Sequence, residues 1–311
     1  MPCQPCHPRF CFGYHIDTRC SEYAQASFPD FDVTIGEQMA NISFRTTLSA
    51  GASESACEFL SVKTGLSKAR VKDAMNKGAV WLKRKNGKAK RLRRASAPLA
   101  EGDRVEMYYD GELLSLRPPE AHCLSDQKHY TVWFKPAGLL AQGTRYGDHC
   151  SLMRQAELHF RSSREIFLVH RLDREASGLM VLAHSKDAAA KLSALFQKNL
   201  AIKKYRVEVL GNLGEKGPRG TIELPLYGKA SFTEYAVIAY NAAANTSVVD
   251  VIIKTGRLHQ IRRHFEMIGF PVMGDPKYGT GNKNTDGMKL SAVSLRFTCP
   301  FLKREVQYAL S

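Results

Sequence analysis

The stretch 166–185, "IFLVHRLDREASGLMVLAHS", sets a run of charge, His170-Arg171-Leu172-Asp173-Arg174-Glu175, between two apolar segments that read as buried strands. Desolvating ionisable groups is costly unless each finds a partner. A carboxylate on a loop between two such strands is therefore either a structural ion pair or a functional group in a tuned environment. The flanking sequence supplies the frame. From Tyr130 onward short strands dominate: "YTVWFKP", "EIFLVHRL", "GLMVLAHS", "KKYRVEVLG", "EYAVIAY", "SVVDVIIKTG" and "AVSLRFTCP". Two helices interrupt them: "SKDAAAKLSALFQKN", with Ser185 as its N-cap, and "GRLHQIRRHFEMIG", with Leu258, Ile261, Phe265 and Ile268 on one stripe and Gly269 at its end. Many adjacent strands with few crossover helices predict an α+β fold with a mixed, largely antiparallel sheet rather than a doubly wound one.

The 311 residues leave room for a small companion domain, and the formal charge of +15 points to a polyanionic partner. RNA, DNA and an anionic membrane surface are the candidates. No run approaches the roughly 18 to 20 apolar residues of a spanning helix. The N-terminus "MPCQPCHPRF" lacks the order of a secretory signal. A soluble, cytoplasmic protein with no membrane partner is the expectation, and a monomer is the expected state. The eight Cys, at 3, 6, 11, 20, 57, 123, 150 and 299, do not form a secreted disulfide framework. "CQPCH" supplies two zinc-type ligands, but a second pair at matching spacing is missing, so no metal site is assigned. Residues 1–48 read as an N-terminal extension expected to be poorly ordered. Within it Met39, followed by "ANISFRTTLSAG", offers a second start.

Residues 49–115 read as a separate module. "SESACEFLSVKTGL" places Ala56, Phe59, Leu60 and Val62 on one side of a short helix closed by Gly65. Ser67 caps a second helix, "KARVKDAMNKG", and "AVWLKRKNGKAKRL" reads as a hairpin turning at Asn86-Gly87. Between Lys63 and Arg94 stand thirteen Lys or Arg against one Asp, an electrostatic footprint for phosphates. A solvated face is the usual fate of a charge run, yet this one has almost no acidic partners and repels itself unless a polyanion binds. The pattern of Ser67, Arg70, Gly78, Val80, Asn86, Gly87, Gly102, Asp103 and Val105 resembles the S4 RNA-binding domain. That resemblance implies RNA contacts from Lys68, Arg70, Lys83, Arg84, Lys85, Arg91 and Arg93. "LRPPEAHCLSDQ" follows, and residues 116–128 are taken as the linker to a domain spanning 129–311.

Taken whole, "LVHRLDREASGLMVLA" resembles the signature of the RluA-type RNA pseudouridine synthases, whose catalytic Asp falls at Asp173. Three further segments match the same family in the same order. "WFKPAGLLAQ" does so through Lys135, Pro136, Ala137 and Gly138, and "KKYRVEVLG" through Tyr205. "KTGRLHQIRRHFEMIGFPVMGDPKYG" matches from Gly256 through Arg262 to Asp275, Tyr278 and Gly279. Ala176, Leu258 and Ser291 depart from the family's usual Thr, Thr and His. One such segment would be weak; four in order are not.

The resemblance implies conversion of uridine to pseudouridine in a structured rRNA or tRNA, by base flipping and attack of a catalytic Asp. Burial alone would neutralise that Asp, so a permanent cation is needed beside it. The family's Arg that pairs with the catalytic Asp maps to Arg262, and its Tyr that stacks on the uracil and assists proton removal maps to Tyr205, so both count as catalytic beside Asp173. Arg171 maps to the residue that fills the vacated place in the RNA stack. His170, Lys135, Lys204, His259 and Arg263 complete the implied substrate contacts. Breaking one bond to the sugar and making another needs neither redox nor a group donor, so no cofactor is expected. The spaced glycines of "GNLGEKG" lead into "PRGTIE" rather than a helix and so do not make a dinucleotide site. His-Arg-Leu-Asp is not a kinase loop, because the Gly-rich loop and Asp-Phe-Gly are missing. "HQIRRH" lacks the Glu of a zinc protease. The alternative is a non-catalytic RNA-binding or ribosome-assembly protein on the same fold.

Overall fold

The computed structural model describes residues 34–36, 41–49 and 55–310. Its N-terminal unit is a five-stranded antiparallel sheet of β1 (Thr34–Gly36), β2 (Asn41–Thr47), β3 (Val80–Lys83), β4 (Lys90–Arg91) and β5 (Arg104–Asp110), in the order β1-β2-β5-β3-β4. Helices α1 (Ala56–Thr64) and α2 (Lys68–Asn76) cover it. Ser55 and Glu58 start α1 as a capping box: the Ser55 hydroxyl accepts from the Glu58 N–H and donates to its carboxylate. Gly65 ends α1 at φ 72, and Ser67 caps α2. Leu60, Val71, Met75, Val105 and Met107 are fully buried between helices and sheet.

Three expectations change here. Strand β2 lies inside the stretch read as an extension, because it pairs along the whole of β5 and buries Ile42 and Phe44. Two alternating apolar residues were too brief a signal to read as a strand; Cys3 and Cys6 lie outside the described residues. Val62 is 76% exposed, and Cys57 takes the inward place beside Leu60. The hairpin turn closes from the Arg84 carbonyl to the Gly87 N–H, on a longer loop than Asn-Gly alone would make.

Short helix α3 (Gly111–Ser115) leads to the second unit, a ten-stranded mixed sheet. Its path is β11 (Arg219–Ile222), β12 (Thr233–Asn241), β13 (Thr246–Ile253), β10 (Ile202–Leu210), β14 (Leu290–Thr298), β9 (Ser177–Ala183), β7 (Tyr130–Lys135) and β6 (His122–Asp126). Strand β15 (Glu305–Ala309) joins β14, and β8 (Phe167–Leu168) joins β9. Among the described residues β9 with β14 is the parallel pair; the other ladders are antiparallel. The segment read as a linker thus contains edge strand β6, whose polar "HCLSD" gave no apolar alternation.

Strand β9 explains the second apolar stretch. Met180 and Leu182 enter one core with Trp133, Tyr205, Val251 and the helices α4 (Leu152–His159) and α6 (Gln260–Met267). Leu179, Val181 and Ala183 enter another with Leu295, Phe297 and α5 (Lys186–Gln197). A strand covered on both faces reads as continuous rather than alternating hydrophobicity. Upstream, only Phe167–Leu168 is strand, so Asp173 sits on a loop at the sheet's end and not within it. Gly178 is required where that loop joins β9: its φ is 121, and a Cβ there would strike the backbone of Ala292 on β14.

Candidate active site

Leu172 and Ala176, 8% and 2% exposed, anchor the loop in the core and leave Asp173 between them facing a cleft of about 670 Å³. Helix α6 delivers Arg262 to that carboxylate: Nη1 donates to Asp173 Oδ2 at 3.0 Å and lies 3.4 Å from Glu175 Oε2. The other two edges of the guanidinium are held by Asp275, with Nε to Oδ2 at 2.7 Å and Nη2 to Oδ1 at 2.8 Å. Asp275 is itself fixed by the N–H groups of Lys277 and Tyr278. Burial opposes the charges on Arg262 and Asp275, but their mutual hydrogen bonds outweigh it, raising the Arg pKa and lowering that of Asp275. One fixed cation therefore faces three carboxylates, of which Asp173 keeps its side chain 20% exposed.

Tyr205 on β10, 7% exposed, also lines the cleft. Burial, and then the charge of Asp173, push its pKa up, so the phenol keeps its proton. His259, at φ 52 ahead of α6, has Nε2 3.9 Å from Asp173 Oδ1, and its Nδ1 meets the Tyr278 hydroxyl at 2.9 Å. Burial lowers the His259 pKa. Arg171 lines the cleft, exposed and without a partner among the described residues. Helix α6 starts at Gln260, so Leu258 leaves the predicted stripe and stands 51% exposed on the cleft wall.

Other expected contacts fall elsewhere. Lys135 is fully buried, and its ammonium donates to the carbonyls of Pro136, Leu139 and Arg174. It ties down the loop that carries Asp173 and meets no solvent. Burial pushes its pKa down to about 8, opposed by Asp173 and Glu175. Lys204 points to the other face of β10, where it pairs with Asp250 at 2.7 Å; the pleat turns Lys203, not Lys204, into the cleft with Tyr205. Arg263 stacks over the Tyr227 ring at 4.3 Å, outside the cleft lining. His170 accepts the Val181 N–H at 3.0 Å and stacks on Phe196 at 4.2 Å, so it braces the loop; burial pushes its pKa down to about 3.

In the N-terminal unit, Arg70, Lys83 and Lys85 are exposed with no partner among the described residues, while Lys68 pairs with Glu58. Arg84 binds the buried Asp103. Arg91 and Arg93 converge on Asp148 of the second unit, and Arg91 also donates to the Thr144 carbonyl at 2.7 Å. These two guanidiniums join the units instead of facing solvent. Sequence reasoning left Asp275 and Lys203 without a role. Asp275 sits in the matched "GDPKYG" segment, and Lys203 shares the pleat parity of Tyr205. Among the described residues no group of three or more His, Cys, Asp or Glu is placed to hold a metal ion. No helix there is long and apolar enough to cross a membrane.

The family described as RNA pseudouridylate synthase matches residues 129–267. The dual-specificity RNA pseudouridine synthase RluA of Vibrio vulnificus is 33% identical over 211 residues, covering 61% of this chain and 82% of that one. The tRNA pseudouridine synthase C of Vibrio parahaemolyticus is 27% identical over 221 residues, covering 61% and 90%. Among solved structures, human RNA pseudouridylate synthase domain containing 1 superposes with a TM-score of 0.53 at 23% identity, covering 63% of this chain and 86% of that one.

Proposed function

The chain belongs to the RNA pseudouridine synthases, and from that premise we propose that it isomerises one uridine of a structured rRNA or tRNA, with Asp173 as the catalytic carboxylate and no cofactor. The observation that carries the proposal is the 3.0 Å contact from Arg262 to Asp173, at the floor of a cleft walled by Tyr205. Such a site requires the nucleotide to leave its stack, and a flat aromatic wall is what an extruded base packs on. Asp173 attacks C1′ of the ribose as the bond to N1 breaks. The base turns and C5 bonds to C1′ as the Asp173–C1′ bond breaks and frees the carboxylate; one proton is then lost from C5 and one gained at N1, so atoms and electrons balance without an external reagent.

Tyr205, kept protonated, serves as the platform for the base and not as a resting base for that proton. Arg171, free at the mouth, is placed to occupy the gap left in the RNA. The N-terminal unit, read as S4-like, grips phosphates through Arg70, Lys83 and Lys85, with shape rather than sequence choosing the RNA. Asp173→Asn tests the assignment. Pseudouridine mapping in total RNA from cells carrying the wild type, the variant or neither should show a site that only the wild type restores, while RNA affinity stays within about threefold. Turnover by the variant overturns the role of Asp173.

A further inference from the structure

Lys203 enters the cleft two residues ahead of Tyr205, on the same pleat. Its ammonium lies 6.0 Å over the Phe196 ring. Gly256 lies beside it, where a Cβ would be in ordinary contact, 3.8 Å from Nζ. Lys204, by contrast, is neutralised by Asp250. No carboxylate pairs with Lys203 among the described residues, although burial disfavours its charge and lowers its pKa. Arg171, on the same cleft, is also without an acidic partner. The acids nearby are engaged by Arg262, so Lys203 is left without a counter-charge among the described residues. A partly desolvated ammonium of this kind is a point-charge site for a phosphate oxygen.

We propose that Lys203 binds a backbone phosphate of the nucleotide whose base packs on Tyr205. The inference rests on the uridine reading of the cleft and adds a binding residue to it. It divides the work between two ends of one nucleotide. Asp173 meets the sugar carbon, and Lys203 fixes the phosphate so that the sugar cannot slide along the cleft. Holding both ends makes the approach at C1′ intramolecular in effect.

The test uses the full chain with Lys203→Met, which keeps the apolar stem over Phe196, with Lys203→Arg, and with Lys191→Met as a surface control. Each is given bulk RNA from cells lacking this protein, and pseudouridine formation is followed against RNA and salt concentration. Lys203→Met should raise KM roughly tenfold to a hundredfold and lower the slope of log affinity against log salt by about 0.7. Its kcat should hold within about threefold. Lys203→Arg should recover most of the KM, because charge and not basicity is what matters. A loss confined to kcat, with KM and salt slope intact and no rescue by Arg, would assign Lys203 to proton transfer and overturn the phosphate role. Unchanged kinetics would overturn it as well. Should the wild type form no pseudouridine on this RNA, the uridine reading falls and this inference with it.

Discussion

Asp275 grips Arg262 through two parallel hydrogen bonds of 2.7 and 2.8 Å, and so aims the remaining Nη1 at Asp173. Bidentate pairing fixes the plane of a guanidinium as well as its position. Removing one partner of a buried pair costs about 3–5 kcal/mol. Asp275→Asn should destabilise the fold by that order in urea titrations and cut kcat at least tenfold, with Arg262 free to rotate away from Asp173. Full activity in a folded variant would show that Asp173 does not depend on this clamp.

Lys135→Met separates two roles for a lysine in the first matched segment. Its ammonium holds three carbonyls around the Asp173 loop. The variant should lose about 3 kcal/mol of stability while the salt slope of RNA binding stays as in the wild type. If Lys135 instead bound a phosphate, the slope would fall by about 0.7.

Asp148 is the acidic partner that joins Arg91 and Arg93 across the two units. Asp148→Ala should expose the segment between them, near 116–121, to limited proteolysis. Lys83→Ala with Lys85→Ala should instead weaken RNA binding and flatten its salt dependence, leaving proteolysis unchanged. The two phenotypes appearing together in either variant would mean that module docking and RNA grip are one function.

The imidazole of His170 is held neutral by burial, with its pKa pushed down to about 3 from the ordinary 6.5. Between those values the unfolded chain binds the extra proton and the folded chain does not. Its contribution is therefore intact above pH 6.5 and declines as pH falls toward 3, by at most about 1.4 kcal/mol per unit. His170→Asn, whose side-chain oxygen can still accept from Val181, should show a shallower loss of thermal stability between pH 6.5 and 4.5 than the wild type. Parallel curves would mean that the imidazole reaches water and titrates normally.

Much of the second unit was legible because its strands are either continuous apolar runs, as in β9, or alternate cleanly, as in β10. The elements that escaped are those whose signal is weak by nature. Strand β6 is a polar edge, β2 carries two inward residues, and α6 begins after a left-handed His259 that ends the apparent stripe at Leu258. For the site, the matched segments pointed to Asp173, Tyr205 and Arg262, and all three line one cleft.

The amino-acid sequence by itself determined the fold class and the excess of positive charge and marked Asp173, Arg262 and Tyr205 as candidates, because each signal is carried by residues close together along the chain. Which lysine faces the cleft, which arginines face solvent and what holds Arg262 in place were decided only by tertiary structure. Those outcomes depend on partners far apart in sequence: Asp275 beyond the helix, Asp250 across the strand pair and Asp148 in the other unit. A cation's role is set by whether an anion reaches it first, and that is a property of packing.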